Sequence, residues 1–272
     1  MKTLIIISIL FITGIIFAQV GGPNQTPWNG YPGYGIQPQN LVIGLTMDSG
    51  TFTTDPNPAP KASFALTSIV AGSINSSHSI GQASLSFNGT STFMYIPDAQ
   101  LSSIDSSQNW VVNVWCYWSG GVCSILSRDG AFNGTGCGNN SSWTVNITAV
   151  GLVGIRFVSN DGVNGFANST NWAIASNSWT MITAKMAGNI TGSLFINGIL
   201  TTNVVNNSGW FNAGLAGTDL MLGNKAGNVS NPGGCGSGNY LNGRLDELMI
   251  WSSQLTAQEI ALLYEIGLSQ AK

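Results

Sequence analysis

Asn242-Gly243-Arg244-Leu245-Asp246-Glu247-Leu248-Met249-Ile250-Trp251 is the stretch that decides the fold. Leu245, Glu247, Met249 and Trp251 alternate with Arg244, Asp246, Leu248 and Ile250. Apolar residues dominate both sets towards the end, the pattern of a strand buried on both faces. Ser252-Ser253-Gln254 breaks that period. Thr256-Ala257-Gln258-Glu259 then forms a capping box, in which a hydroxyl caps a helix start and a carboxylate three residues on reaches back. Ile260, Leu263 and Tyr264 make one apolar stripe, and Gly267 reads as the C-terminal stop. A buried strand therefore runs into one short amphipathic helix. Asp246 and Glu247 lie inside the strand, where charge is costly unless paired or ligated.

Working backwards, the chain reads as strand after strand. Leu41 to Met47 is the first, ended by Asp48. Ala83, Leu85 and Phe87 alternate, Asn88-Gly89 turns the chain, and Phe93 to Pro97 returns. Trp110 to Trp118 is a long strand, with Cys123 to Ser127 expected as its hairpin partner. Trp143 to Val150 pairs with Val153 to Val158 across Gly151, and Trp179 to Met186 with Ser193 to Ile199 across Gly188-Asn189. Turn signals recur about every ten residues and no helical pattern precedes Thr256, which predicts an all-β, two-sheet antiparallel jelly-roll sandwich with one short C-terminal helix.

Composition narrows the function. Charged residues are 7% of the 272, against about 25% in an average chain, so the surface must be Asn, Ser, Thr and Gly. Eight Lys and Arg without a basic run cannot track a phosphate backbone, which argues against nucleic acid. Residues 1–18 resemble a secretory signal: Lys2, an apolar run from Leu4 to Phe17, then Ala18 before Gln19. Residues 19–40, with Pro23, Pro27, Pro32 and Pro38, read as a linker or extended arm. Residues 41–268 form the domain. The mature chain has no further membrane-length apolar run and is expected outside the cytoplasm.

Four cysteines suit that compartment. Cys116 and Cys123 flank Ser119-Gly120-Gly121, and Cys137 and Cys235 lie in Gly-rich loops. The expected pairs are 116–123 and 137–235, although four cysteines allow three pairings. Zinc is disfavoured, because there is no CxxC pair and His78 is the one histidine. Asn-x-Ser/Thr triplets recur from Asn24 to Asn228. In a eukaryotic or viral secretory route some would carry sugars, and in a bacterium they would be turn and strand-surface residues.

Six pieces in order carry a family resemblance: Leu85-Ser86-Phe87-Asn88-Gly89 with Tyr95-Ile96-Pro97; Val112-Asn113-Val114-Trp115; Trp179 to Ala184; Leu194-Phe195-Ile196-Asn197-Gly198; Leu222-Gly223-Asn224; and Gly243 to Glu247 through Leu255-Thr256 and Glu259-Ile260. Together they resemble the laminin G-like jelly roll of the concanavalin A-like lectin/glucanase superfamily, over about residues 41–267. The resemblance implies two curved sheets face to face, the Gly243–Trp251 strand pairing with the first strand, and Trp115 and Trp179 in the core. It also implies a structural calcium held by Asp246 and, from the first strand's loop, Asp48. The other reading of Asp246 is a buried carboxylate bonded to backbone N–H groups or to Arg244.

Catalysis is not expected. A glycosidase needs two carboxylates flanking one bond, and the glutamates are Glu247, Glu259 and Glu265, the last two on the terminal helix. Asp246 and Glu247 are adjacent, so in a regular strand they point to opposite faces. Trp118, Trp143, Trp172, Trp210 and Tyr240 lie at strand ends or in loops, where exposed rings beside amides grip sugars. Trp143 and Tyr240 are the expected binding edge. The chain thus reads as a secreted binding or adhesion module for a glycan or glycosylated surface partner. The alternative is a surface, fibre or virion component that self-associates through the arm at 19–40.

Overall fold

The computed structural model describes residues 36–37, 40–45, 47, 67–70, 73–75, 83–96, 101, 104, 109–128, 142–158, 164–188, 191–205, 219–224 and 239–270. Residues 1–18, expected as a signal, most of the expected arm at 19–40, Asp48, His78, Cys137, Trp210 and Cys235 lie outside them.

Fifteen strands and one helix are described. The strands are β1 (Leu41–Leu45), β2 (Thr67–Val70), β3 (Ser73–Asn75), β4 (Ser84–Asn88), β5 (Phe93–Ile96), β6 (Trp110–Trp118), β7 (Cys123–Arg128) and β8 (Ser142–Ile147). They continue with β9 (Leu152–Val158), β10 (Asn164–Ala173), β11 (Trp179–Ala187), β12 (Thr191–Ile196), β13 (Ile199–Val205), β14 (Leu220–Leu222) and β15 (Asn242–Trp251). The helix is α1 (Ala257–Gln270). One sheet has eight strands in the order β13-β12-β11-β6-β15-β4-β3, with β1 also paired to β15; the other has seven, β10-β9-β8-β7-β14-β5-β2. This is the expected antiparallel jelly-roll sandwich.

β15 is the hub of the larger sheet. On one side it pairs with β6, from Gly243↔Trp118 to Trp251↔Val111. On the other, its first half takes β4 and its second half takes β1, as the family resemblance implied. Its two-sided burial follows from two cores. Leu245, Leu248 and Ile250 face the seven-stranded sheet with Leu85, Val112, Ile125 and Val145. Met249 and Trp251 face away from it and pack with Trp115, Met181, Phe195, Ile260 and Leu263. The helix is thus a third layer on the outer face of the eight-stranded sheet.

The capping box forms as read. The Thr256 backbone N–H and hydroxyl donate to Glu259 Oε2 at 2.7 and 2.9 Å, and the Glu259 N–H donates to Thr256 Oγ1 at 3.2 Å. Gln37 ties the start of the domain to this corner, donating to Glu259 Oε1 at 2.8 Å, and Trp251 Nε1 donates to the Ile36 carbonyl at 2.9 Å. Gly267 is not the stop, since α1 continues to Gln270. Its bare Cα lets the helix meet Trp115: a Cβ there would lie 2.4 Å from Trp115 Cζ2.

Two expected hairpins are instead crossovers. β4 and β5 lie in different sheets, and so do β6 and β7. Asn88 shapes the first crossing: its Oδ1 accepts from the N–H groups of Thr90, Ser91 and Thr92 at 2.8–3.0 Å. In the second, Trp118 Nε1 donates to the Gly121 carbonyl at 2.9 Å. The β8–β9 and β11–β12 pairs form as expected. β12 and β13 join through Asn197-Gly198 with φ of 51° and 78°, the two left-handed residues a tight hairpin needs.

Candidate functional site

Across the seven-stranded sheet, successive register partners make one row: Tyr95 on β5, Met221 on β14, Ser127 on β7, Thr144 on β8 and Arg156 on β9. Their strand neighbours Met94, Leu222, Leu126 and Val145 point into the main core. Because side chains alternate along a strand, Met221, Ser127 and Thr144 face outward. There Met221 packs with Phe93, Tyr95 and Tyr240, a small aromatic cluster separate from both cores. Tyr95 and Tyr240 are half-buried. Next to them the Ser127 hydroxyl is fully buried and has no hydrogen-bond partner among the described residues. Of this group Tyr95 and Tyr240 keep accessible surface, and amphipathic rings can cover a polar ligand's C–H face while their hydroxyls bond its polar groups.

The expected edge of Trp143 and Tyr240 does not form. Trp143 is 1% exposed and sits on the inner face of β8, its ring centre 4.8 Å from that of Trp110. Tyr240 is on the opposite face of that sheet. Trp118 also faces inward, plugging the end of the core beside Gly151. Trp210 lies outside the described residues. Sequence reading missed Tyr95 as a candidate, because a tyrosine inside a short strand shows no face until its register partners are known.

Asp246 is fully buried opposite Trp115. Its Oδ1 accepts from the Glu247 N–H at 3.0 Å across a bulge in which Glu247 takes φ 50°. The bulge breaks the simple alternation expected of the two acids. Both are buried. Among the described residues no three His, Cys, Asp or Glu side chains gather, and the geometry of Asp48 is outside the description.

Cys116 and Cys123 are free thiols, not a hairpin disulfide. Cys116 comes from the eight-stranded sheet and Cys123 from the seven-stranded one, so no hairpin joins them. Burial, and then the neighbouring Cys123, hold the Cys116 thiol well above its ordinary range. Burial pushes Cys123 up to about 12 against a backbone hydrogen bond at Ile147. Cys137 and Cys235 lie outside the described residues.

The outer face of the eight-stranded sheet carries a second polar–aromatic row. The Arg244 guanidinium lies 3.9 Å from the Tyr117 ring centre and 6.0 Å from that of Trp179. Tyr117 and Trp179 meet edge to face at 5.6 Å.

A family model described as the concanavalin A-like lectin/glucanases superfamily, in its laminin G form, matches residues 88–261. The chain belongs to that family. No curated protein matches this laminin G-like chain. Among solved structures it is similar to the binding domain of Paraclostridial Mosquitocidal Protein 1, with a TM-score of 0.60 and 16% identity over 83% of this chain and 52% of that one. The laminin G-like chain thus spans about half of that binding domain. Domain 4 of AbnA, a GH43 extracellular arabinanase from Geobacillus stearothermophilus, was solved with arabinotriose; it matches with a TM-score of 0.56 and 18% identity over 83% and 98% of the two chains. The CBM40 of Ruminococcus gnavus IT-sialidase, bound to α2,3 sialyllactose, matches with a TM-score of 0.51 and 15% identity over 66% and 94%. At these identities the likeness is one of fold. Among the described residues no helix is long and apolar enough to cross a membrane.

Proposed function

We propose that this laminin G-like domain is a secreted, non-catalytic module that binds a glycan, or a glycosylated surface partner, on the outer face of its seven-stranded sheet. The observation that carries the reading is the pair of half-buried tyrosines, Tyr95 and Tyr240, grouped with Phe93 and Met221 on that face. The half-buried rings supply the apolar wall against which a sugar stacks. The arabinotriose and sialyllactose in two structures of similar fold support a glycan as the class of ligand.

The alternative is self-assembly through the arm at 19–40, of which the described Ile36 and Gln37 bond to their own chain. Asp246, with Asp48, would hold a structural calcium ion in the same domain. A glycan array probed with the wild type, Tyr95→Ala and Tyr240→Ala tests the binding face. The expected result is a set of glycans retained by the wild type and lost by both variants. Glycans bound equally by all three would place recognition elsewhere.

A further inference from the structure

Trp179 on β11, Tyr117 on β6, Arg244 on β15 and Ser86 on β4 are successive register partners across four adjacent strands. At about 4.8 Å per strand the row is about 14 Å long, room for two sugar rings. It lies on the outer face of the eight-stranded sheet, the opposite side of the sandwich from Tyr95 and Tyr240. α1 covers the neighbouring part of this face and reaches Trp115, whose ring stacks on Tyr264. Beyond the helix, all four residues of the row are half-buried and keep accessible surface.

We infer that this row is a second binding site, specific for an acidic sugar, with Arg244 taking the carboxylate, Tyr117 backing the guanidinium and Trp179 taking the C–H face. A guanidinium is a planar fork that matches a carboxylate with two parallel hydrogen bonds. Stacking on Tyr117 fixes that plane and shields one side from water. Five N–H donors leave capacity for a ligand beyond any bond made within the protein. Ser86 adds a hydroxyl that donates to or accepts from the sugar.

The placement of Arg244 is built into the backbone. A Cβ on Gly243 would lie 2.0 Å from the Tyr117 carbonyl oxygen. Only glycine lets β15 run this close to β6, and that approach lays the next residue over the Tyr117 ring. With eight Lys and Arg in 272 residues, this arginine is not one of a crowd of surface cations.

The test is an NMR titration of the full-length 15N-labelled chain with methyl β-D-glucuronide, with the neutral methyl β-D-glucoside as control. The Trp179 indole N–H is assigned through Trp179→Phe. The expected result is a saturable movement of that signal with the glucuronide and none with the glucoside at equal concentration. Arg244→Lys keeps the charge and the alkyl stem but not the fork. It should weaken the Kd about tenfold or more, as for loss of one charge-assisted hydrogen bond, while circular dichroism shows an unchanged fold. The double variant Tyr95→Ala/Tyr240→Ala should respond like wild type, which separates this site from the one on the other sheet. No movement with either sugar, equal movement with both, or an unchanged Kd in folded Arg244→Lys overturns the assignment.

Discussion

Trp115 and Tyr264 stack with ring centres 5.8 Å apart and planes 19° from parallel. The pair joins the eight-stranded sheet to the helix that follows β15, and Gly267, one turn further on, touches the same indole. Two effects of Gly267→Ala oppose each other. Helix propensity favours alanine by about 1 kcal/mol. A Cβ 2.4 Å from a buried, rigid ring atom must displace the helix, and overpacking of that kind costs about 1–3 kcal/mol. The steric term wins, so Gly267→Ala should lower the urea midpoint, and a rise would show that the helix can tilt freely.

Acid should loosen the same corner. Burial opposes ionisation of Glu259, but hydrogen bonds from the Thr256 N–H, the Gln37 amide and the Thr256 hydroxyl, together with the Lys185 charge, hold its carboxyl below the usual range. Because the folded value is the lower one, the stabilisation is complete above the unfolded-chain pKa of about 4.3 and is lost as pH falls through the folded value. Melting midpoints of Glu259→Gln should therefore fall less steeply with acid than those of the wild type. Thr256→Ala, which removes the cap, should cost about 1 kcal/mol at neutral pH.

Ser127→Ala separates stability from binding. Removing a buried hydroxyl with no described partner should leave stability unchanged or raise it by up to about 1 kcal/mol, because a desolvation cost disappears. The hydroxyl is buried beneath that face, so glycan affinity should be unchanged in the same variant. Denaturant melts and glycan titrations on one preparation read both effects, and a large loss of stability would mean that the hydroxyl is satisfied in solution.

The two described thiols should be inert in the native state. Burial holds Cys116 well above its ordinary range, with a further push from Cys123, and pushes Cys123 up to about 12, and only a thiolate alkylates readily. Iodoacetamide at neutral pH should leave both unmodified in the folded protein and label both in denaturant. Peptide mass spectrometry distinguishes these outcomes, and rapid labelling of the native chain would mean that the core opens.

If Asp48 and Asp246 share a calcium ion, a chelator should lower the melting midpoint and added calcium restore it, by the ordinary linkage of ligand to the folded state. Asp246→Asn should abolish the difference. Identical melts with and without chelator would remove calcium from the proposal.

The strand and helix at residues 242–270 were legible because both signals are local: a two-sided apolar pattern and a capping box. The misread hairpins show what such signals lack. Asn88-Gly89 and Gly120-Gly121 mark reversals correctly, but a glycine turn does not say whether the next strand joins the same sheet or the opposite one. Trp143 was misplaced for a related reason. One-residue parity decides between core and surface, and a Gly-rich loop beside it gave no phase. The Tyr95–Ser127–Thr144 row and the Arg244 platform each join residues from strands far apart in sequence, so only sheet order brings them together.

β15 sits between β6 on one side and β4 and β1 on the other. During synthesis, strands made some 130 to 200 residues earlier have no central neighbour until residues 242–251 leave the ribosome. Until then β4 and β6 present open hydrogen-bonding edges. Closure by so distant a segment is slow, and such edges invite pairing with other nascent chains. Productive folding of this domain is therefore favoured wherever those edges are kept apart until translation reaches its late central segment.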